Sequence, residues 1–431
     1  MLRKQIQLGL VHVAVAMTLV PINSTLNRVM IKELAISATL VAILASLPYL
    51  FSPLQVAIGA YSDRHPIFGF RRTPYIALGI ILCVLGVIAS PQVAFLIAES
   101  PGLGLLAAGL AFGAWGMGYN LSAVSYLSLA TEISGEKARG RTIAIMWFMM
   151  IVSIILTAIT ISRLVEPYSP QALQQSFFVI ALAALGLGLL GLVRLESRSS
   201  AQQAGGEAHT FREMLRVIRR SPQVTTFFFY LLLLLAAILG QDILLEPYAA
   251  EAFQMTVQQT TRITSIWGVS VLAAILAAGA LEKRAPRKGV AQAGNLGALS
   301  GFLLVIASGF SASTTIFYVG VVLLGMGTGL STVANLALMF DLTLPGYVGL
   351  FIGAWGVSNA LSRLVGTMMA GVVRDVVSLT TSNALFGYMI VFGIEALMLA
   401  AAAFMLTRID IQAFQRQVEI PSAVERAALS D

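Results

Sequence analysis

The sequence predicts an all-α membrane protein with twelve transmembrane helices arranged as two six-helix bundles. Three observations support this fold class: the composition, the length of the apolar stretches and the placement of Lys and Arg. Of the 431 residues, 58% are apolar and only 11% are charged, whereas soluble domains carry about 25% charged residues. This composition excludes a soluble enzyme, a disordered chain and a nucleic-acid-binding protein, despite a net charge of +7.

Charged and turn-forming residues divide the chain into twelve apolar stretches, each close to the roughly 20 residues that a helix needs to cross a bilayer. Stretches of this length without polar alternation are typical of membrane helices and not of barrel strands. The first stretch is too long for the apolar part of a signal peptide, so we interpret it as a retained helix. The predicted spans are 8–26, 37–60, 74–97, 102–130, 142–164, 173–194, 224–245, 261–281, 290–310, 313–338, 350–373 and 384–407.

Lys and Arg residues indicate the orientation of these spans. When the N-terminus is taken as cytoplasmic, about four-fifths of the 27 Lys and Arg residues fall in cytoplasmic segments, as the positive-inside rule requires. Both termini are therefore predicted to be cytoplasmic. The long hydrophilic stretch 196–222 is predicted to be a cytoplasmic linker with a basic amphipathic helix. It separates an N-terminal bundle, 1–195, from a C-terminal bundle, 223–410, which a cytoplasmic tail follows at 411–431.

The two bundles show an internal repeat. Residues 116–122 (Gly-Met-Gly-Tyr-Asn-Leu-Ser) in span four match residues 325–331 (Gly-Met-Gly-Thr-Gly-Leu-Ser) in span ten, and the same alignment places Glu132 on Asp341. Parallel repeats of six helices joined by a cytoplasmic linker predict the major facilitator fold. Small residues four apart, at Gly109 and Gly113 and within the second motif, predict close helix packing.

A charged loop follows span two and resembles the signature loop of the major facilitator superfamily, with a two-residue insertion after Pro66. Its Asp can cap a neighbouring helix, and its arginines can pair with acids across the inner face. We predict an inter-bundle latch of ionic contacts, although the positive-inside rule alone could explain part of this charge. The predicted latch residues are Asp63, Arg64, Arg71, Arg72, Glu132, Arg139, Arg141 and Asp341.

Polar residues also lie at membrane depth, where they are functional candidates by default. Near the outer end of span one, Asn23 and Asn27 are four residues apart, and Asp242 and Glu246 repeat this spacing in span seven, where Gln241 precedes them. Since Arg28 and Arg262 are the outer arginines near these positions, an outer ion pair of one of them with Glu246 or Asp242 is predicted. Such a pair can bind a ligand or simply join the two bundles.

Further ligand-binding candidates are the amides of Asn120, Asn335 and Asn359, which more often bond between helices, and His12. Imidazole is a good axial ligand for a metal in a planar ring, although a lone histidine in a membrane helix is more often hydrogen-bonded to a neighbour. Glu395 could relay protons. Span four contains no arginine and buried acids are few, which argues against ordinary proton-driven antiport. The lack of the arginine also argues against an anionic sugar-phosphate substrate, which would need buried cations.

Catalytic and metal sites are not predicted. Cys83 is the one cysteine and there are three histidines, so no disulfide and no resident metal site is expected. The sequence shows no nucleotide-binding loop and no nucleophile–base pair, which argues against an enzyme.

Three segments together resemble the PucC and LhaA group, the bacteriochlorophyll-delivery family of phototrophic bacteria. They are 23–34, with Leu-Asn-Arg-Val-Met, 68–76, with Phe-Gly-Phe-Arg-Arg-Thr-Pro-Tyr-Ile, and 241–248, with Leu-Glu-Pro-Tyr. Proteobacterial members begin with an extra N-terminal segment that this sequence does not show, so a cyanobacterial-type member is expected.

The resemblance implies a photosynthetic or cytoplasmic membrane protein that binds or delivers chlorophyll or bacteriochlorophyll, with no covalent cofactor. Light-harvesting or photosystem apoproteins and chlorophyll-synthesis enzymes are the implied partners, together with membrane lipid. The alternative is a secondary transporter of a tetrapyrrole or another apolar substrate. A pigment pocket would be mainly apolar and aromatic, and its candidate walls are Met146, Trp147, Phe148, Met149, Trp267, Phe351 and Trp355.

Overall fold

The computed structural model describes residues 1–197, 218–219, 221–281, 285–343, 348–411 and 414. Within these ranges, eleven helices are long and apolar enough to cross a membrane, and one shorter apolar helix accompanies them. The predicted all-helical membrane fold is confirmed. Most of the predicted linker helix and of the tail lies outside the described residues.

The helices follow one another in the order that the apolar stretches predict. They are α1 (Leu2–Pro21), α2 (Ala38–Leu50), α3 (Leu54–Arg64), α4 (Thr73–Glu99), α5 (Pro101–Leu164), α6 (Pro170–Leu192), α7 (Pro222–Gly240), α8 (Leu245–Phe253), α9 (Val257–Leu281), α10 (Arg287–Ser311), α11 (Thr314–Asp341), α12 (Val348–Thr381) and α13 (Ala384–Arg408). Two π-helical turns, Ile22–Leu26 and Val29–Glu33, extend α1, and a 3₁₀ turn, Gln241–Ile243, extends α7.

Predicted span two is broken, where a continuous helix over 37–60 was expected. Because Pro53 has no backbone N–H, the carbonyl of Tyr49 has no donor four residues ahead. It accepts instead from the N–H of Ser52 at 3.1 Å. The segment crosses as two short helices, α2 and α3, with a tight turn between them.

Predicted spans four and five are joined in the long helix α5, which turns back at a single residue. Gly135 has φ 60° and ψ 178°, outside the helical region, and a residue without Cβ adopts this conformation readily. The two arms on either side, Pro101–Gly135 and Gly140–Leu164, are each long enough to cross the membrane.

Glycines allow the same close helix packing in both bundles. A Cβ on Gly79 of α4 would lie 2.3 Å from the Ser122 hydroxyl of α5. Its counterpart in the second bundle is Gly294 of α10, where a Cβ would lie 2.5 Å from the Ser331 hydroxyl of α11. The matched motifs of the internal repeat therefore form equivalent helix contacts.

Contacts between the bundles are concentrated at one end. We call the end that holds Met1 and residue 409 the terminal end, and the end that holds residues 34–37 and 254–256 the opposite end. The hydrogen bonds and ion pairs that join described residues of the two bundles lie toward the opposite end, as in the bond from Ser162 Oγ to the Gln258 carbonyl at 3.1 Å. The described part of the chain is thus held together at the opposite end and forms no such bonds at the terminal end.

Candidate functional site

An ion pair lies at membrane depth between the two bundles. Arg363 Nη1 on α12 donates to Asp242 Oδ2 in the 3₁₀ turn at 2.8 Å. Gln241 Nε2 donates to the other oxygen, Asp242 Oδ1, at 2.9 Å. The guanidinium also lies over the ring of Tyr49 from the first bundle, 5.2 Å from its centroid. This contact places the pair at the boundary between the bundles, which we call the central site.

Aromatic and amide side chains adjoin the pair. The rings of Tyr49 and Tyr119 meet edge to face with 6.3 Å between their centroids. On α12, Trp355 and Asn359 precede Arg363 at intervals of four residues, and all three are partly exposed. Because residues four apart share one helix face, they form a polar and aromatic stripe directed at the central site.

Glu246 forms a second polar contact between the bundles. Its Oε1 accepts hydrogen bonds from the Ser24 hydroxyl of the first bundle and from Thr264 Oγ1 at 2.7 Å. The second oxygen, Oε2, is buried and has no hydrogen-bond partner among the described residues. Nearby, the hydroxyls of Thr25 and Thr261 lie 3.1 Å apart. Neutral hydroxyls, and no arginine, therefore hold this carboxyl group.

The predicted outer ion pair is wrong. Arg28 pairs with Glu33 of its own bundle and donates to the Met255 carbonyl of the other bundle at 3.1 Å. Arg262 Nε donates to Ser162 Oγ at 3.3 Å. The reason is local: the π-helical turns after Pro21 present hydroxyls of the first bundle to Glu246, and the acid of Asp242 is already held by Arg363.

Asn23 and Asn27, predicted as ligand-binding candidates on one helix face, bond to each other. Asn27 Nδ2 donates to the Asn23 carbonyl at 3.0 Å, within the same helical segment. A different residue of this end, Lys32, crosses to Glu251 at 2.5 Å. At the opposite end, the bundles are therefore joined by Lys32, a residue close in sequence to Asn23 and Asn27, and not by these two.

Asp375 of α12 also joins the bundles at the opposite end. Its carboxylate accepts from the backbone N–H of Thr39 at 2.7 Å and of Ala38 at 3.1 Å, at the start of α2. The Thr39 hydroxyl adds a third bond at 2.7 Å. A carboxylate in this position satisfies orphan N–H groups and complements the helix dipole. A residue of the second bundle thus caps a helix of the first.

The buried amides act within their bundles. Asn120 Nδ2 donates to the Pro48 carbonyl at 2.8 Å, and its Oδ1 accepts from Gln55 at 2.6 Å. Asn335 Oδ1 accepts from the Tyr230 hydroxyl at 2.8 Å. Asn359 bonds to the Trp355 carbonyl one turn back on its own helix. Asn120 and Asn335 therefore join helices, while the bond of Asn359 stays within α12.

His12 and Glu395 are both enclosed. The His12 ring lies 5.2 Å from that of Tyr126, and its Nδ1 has no hydrogen-bond partner among the described residues. Glu395 is fully buried on α13, and both of its carboxyl oxygens are likewise without a partner. A Cβ on Gly240 would lie 2.8 Å from Glu395 Oε1, which places this acid beside the turn that carries Asp242.

The charges at the terminal end form a network within the first bundle. Arg72 Nη2 lies 3.2 Å from Glu132 Oε1, and Arg71 Nη2 lies 3.4 Å from Glu132 Oε2. The Glu196 carboxylate accepts from the backbone N–H groups at the start of α4, including Thr73 at 2.7 Å. The predicted pairing of these arginines with an acid is present, but both partners belong to one bundle.

Two of the remaining predicted latch residues also pair within single bundles. Arg141 donates to Gln5 at 2.9 Å, and Asp341 pairs with Arg287 at 2.5 Å. Arg64 is exposed. The side chains of Asp63 and Arg139 lie outside the described part of the structure. The described contacts therefore correct the inter-bundle assignment, since the bundles form no hydrogen bonds with each other at this end among the described residues.

The candidate pocket walls do not form one surface. Met146 and Phe351 are buried in helix contacts, whereas Trp147 and Phe148 are exposed. Met149 packs on Gly9, and Trp267 packs on Gly325. Trp355 is the member of the set that lies on the stripe toward Arg363.

Sequence reasoning missed the residues that matter most at the bundle boundary: Arg363, Asp375 and Ser24. Arg363 interrupts an apolar span, and a charge in such a position is itself a signal of function. It also supplies a cation at membrane depth, which the lack of an arginine in span four gave no reason to expect. No periodicity in the sequence identifies Ser24, because its contact with Glu246 depends on the π-helical turns.

Comparisons with known proteins agree with this fold. The family model described as PUCC protein matches residues 25–414. Protein PucC of Rhodobacter capsulatus is 32% identical over 418 residues, covering 93% of this chain and 91% of its own. The bacteriochlorophyll synthase 44.5 kDa chain of the same organism is 30% identical over 408 residues, covering 93% and 94%.

Among solved structures, the nucleoside transporter NupG has a TM-score of 0.75 at 14% identity, with 94% of this chain and 99% of NupG covered. A D-xylose–proton symporter has a TM-score of 0.69 at 14% identity, covering 93% and 96%. These similarities show the fold of the major facilitator transporters, as the six-helix repeat predicted. The protein is an integral membrane protein, and the chain belongs to the PucC family.

Proposed function

We propose that this protein is a non-enzymatic assembly factor that binds (bacterio)chlorophyll within the membrane and delivers it to light-harvesting or photosystem apoproteins. Chlorophyll-synthesis enzymes are the proposed suppliers of the pigment. The membrane is the photosynthetic or cytoplasmic membrane, with both termini on the cytoplasmic side.

The observation that carries this proposal is membership of the PucC family, whose matched relatives include a chain named for bacteriochlorophyll synthase. The central site supports it. Tyr49, Tyr119 and Trp355 supply flat aromatic surfaces at membrane depth, and a few polar groups stand among them. Apolar and aromatic surfaces with a few convergent polar groups are the kind of surroundings that suit a large flat amphiphile.

The test is an absorption spectrum of the protein purified in mild detergent from a phototrophic host, with co-purifying proteins identified. We expect tetrapyrrole absorption and at least one pigment-protein apoprotein or pigment-synthesis enzyme. A Trp355→Ala and Tyr49→Ala double variant is expected to lose pigment, while Phe310→Ala, which removes an exposed ring far from the site, is expected to keep it. Pigment-free protein, with unchanged pigment-protein levels after gene deletion, would overturn the proposal.

A second candidate function is secondary transport of a tetrapyrrole or another apolar substrate. It is favoured by the hydrogen bonds and ion pairs that join described residues of the two bundles toward the opposite end. One state of an alternating-access cycle is closed at such an end. Spin labels at His65→Cys and Thr407→Cys, both exposed at the terminal end, report on this motion, because Cys83 is buried. Transport predicts that the label distance shortens when pigment is added. One unchanged distance counts against it.

A further inference from the structure

Arg363 is a feature that binding of an esterified, uncharged pigment does not explain. A guanidinium at membrane depth carries a large desolvation penalty, so such residues are rare and face a functional cavity or a partner. Here the guanidinium lies against Tyr49 of the other bundle, at the boundary that any ligand between the bundles would occupy.

The pairing with Asp242 leaves N–H donors of the Arg363 guanidinium available to a ligand. A guanidinium has five N–H donors in a planar fork and can bind a carboxylate through two parallel bonds. Asp242 accepts through one oxygen, Oδ2, and its other oxygen accepts from Gln241. The side chains of Arg363 and Asp242 remain 25% and 23% exposed. Asp242 therefore balances the charge of Arg363 without enclosing it.

The surroundings fit a flat molecule with one anionic group. The stripe Trp355–Asn359–Arg363 runs for about 12 Å along one face of α12, given a rise of 1.5 Å per residue. It begins with an indole, continues with an amide whose Nδ2 is bonded within its own helix, and ends at the guanidinium. Tyr49 and Tyr119 lie on the other side of the boundary.

We propose that Arg363 binds the free carboxylate of a tetrapyrrole, so that the preferred ligand is the pigment before its propionic acid side chain is esterified with an isoprenoid alcohol. This inference rests on the proposed function and adds to it a preference between two forms of the pigment: the site takes the esterified form and binds the unesterified acid more tightly. A carboxylate makes charge-assisted hydrogen bonds to the fork of Arg363, whereas the neutral ester lacks the charge that strengthens them.

The test uses pyropheophorbide a and its methyl ester, two metal-free chlorins that differ in this carboxylate alone. Each is titrated by fluorescence anisotropy against the full chain in lipid nanodiscs, with empty nanodiscs as the baseline. The wild type is expected to bind the free acid about tenfold more tightly than the ester, since hydrogen bonds to charged groups are the stronger class. Arg363→Gln is expected to bring the acid to the affinity of the ester and to leave the ester unchanged.

Two further variants separate ligand binding from a structural role. Asp242→Asn removes the competing carboxylate and is expected to raise the affinity for the free acid, a gain that a purely structural ion pair would not give. Arg374→Gln changes another arginine of α12, one that pairs with Asp375 at 2.9 Å, and is expected to keep the preference for the acid.

Equal binding of acid and ester by the wild type would overturn the inference and leave the proposed function intact. Equal weakening of both ligands by Arg363→Gln would show that the pair only supports the fold, and would overturn the inference as well. If neither chlorin binds, the proposed function fails and the inference fails with it.

Discussion

The two bundles use the same backbone contacts but different charges. In both, glycines of one helix meet a serine and a glycine of the next, as at Gly79 with Ser122 and at Gly294 with Ser331. The ionisable groups at the bundle boundary are unequally divided. The second bundle contributes Arg363, Asp242, Glu246 and Asp375, whereas the first bundle contributes Arg28 and Lys32.

The groups of the first bundle that contact the charges of the second bundle at the boundary are mainly neutral. The Ser24 hydroxyl meets Glu246, the Tyr49 ring meets Arg363, and the backbone N–H of Thr39 meets Asp375. The two repeats therefore share the glycine contacts by which their helices pack. They differ in the side chains that each bundle directs at the other. The second bundle therefore supplies most of the charge at the boundary.

The largest expected effect tests the shared backbone contacts. A Cβ on Gly118 would lie 2.5 Å from the Gly79 carbonyl, and one on Gly327 would lie 2.3 Å from the Ala298 nitrogen. Because helices cannot separate there without losing their packing, Gly118→Val and Gly327→Val should each destabilise the protein by about 3 kcal/mol or more. The measurement is the yield of monodisperse protein by size-exclusion chromatography.

The matched control for these variants is Gly113→Val, since a Cβ on Gly113 meets no atom within 4 Å. It should be tolerated. This position also corrects the expectation that Gly109 and Gly113 mediate close packing, because both face open space. If only one of the two bundle variants is destructive, the equivalence of the repeats is lost.

The next largest effect is expected from Asp375, the charged residue of the second bundle that caps helix α2 of the first bundle. Asp375→Ala removes three hydrogen bonds at the start of α2. Since hydrogen bonds to a charged group contribute more than neutral ones, we expect a loss of about 2 to 3 kcal/mol. Lys32→Met breaks a half-exposed pair at the same end and should cost about 1 kcal/mol or less. Thermal unfolding midpoints in one detergent compare the two, and equal shifts would contradict the ranking.

Much of the fold could be predicted from the sequence, because the bilayer allows few alternatives. Apolar stretches of sufficient length must be helical, and the matching motifs 116–122 and 325–331 indicated the repeat. The break at Phe51–Pro53 could not be placed by composition, since proline is tolerated in membrane helices when neighbours satisfy the freed backbone groups. Here Asn120 does so, by donating to the Pro48 carbonyl.

The candidate site was only partly predictable. Asp242, Glu246 and Gln241 were identified as polar groups at membrane depth, and they do lie at the bundle boundary. Their partners could not be identified. Pairing depends on how the two bundles are rotated against each other, and a single sequence does not contain that information. The lack of an arginine in span four gave no information on Arg363, because this residue lies in a different span and its place relative to the other bundle depends on the same rotation.

A smaller loss of stability is expected from substituting the side-chain amides. Asn120 and Asn335 bond between helices, whereas Asn359 bonds within one helix. Asn120→Leu removes the hydrogen-bond partner of the Pro48 carbonyl and of Gln55. Asn335→Leu removes the 2.8 Å bond of the Tyr230 hydroxyl, which keeps Asn295 Nδ2 at 3.2 Å. Each should lower the free energy of unfolding by about 1 to 2 kcal/mol. Asn359→Leu removes a bond within one helix and should change it by less than about 0.5 kcal/mol. The readout is thermal unfolding, and a large effect at Asn359 would assign it to helix packing and not to the central site.

The smallest effect distinguishes the charged networks at the terminal end. Glu132→Gln removes the acid next to Arg72, which is buried, so a loss of about 1 kcal/mol is expected. Asp341→Asn affects the more exposed Arg287 and should cost less than about 0.5 kcal/mol. Salt screens exposed charges more than buried ones. The loss of stability in Asp341→Asn should therefore be measurable at low salt and absent in 0.5 M NaCl, whereas the loss in Glu132→Gln should remain in 0.5 M NaCl. Identical salt dependence would mean that the two bundles use this loop charge in the same way, and that their asymmetry is confined to the boundary between them.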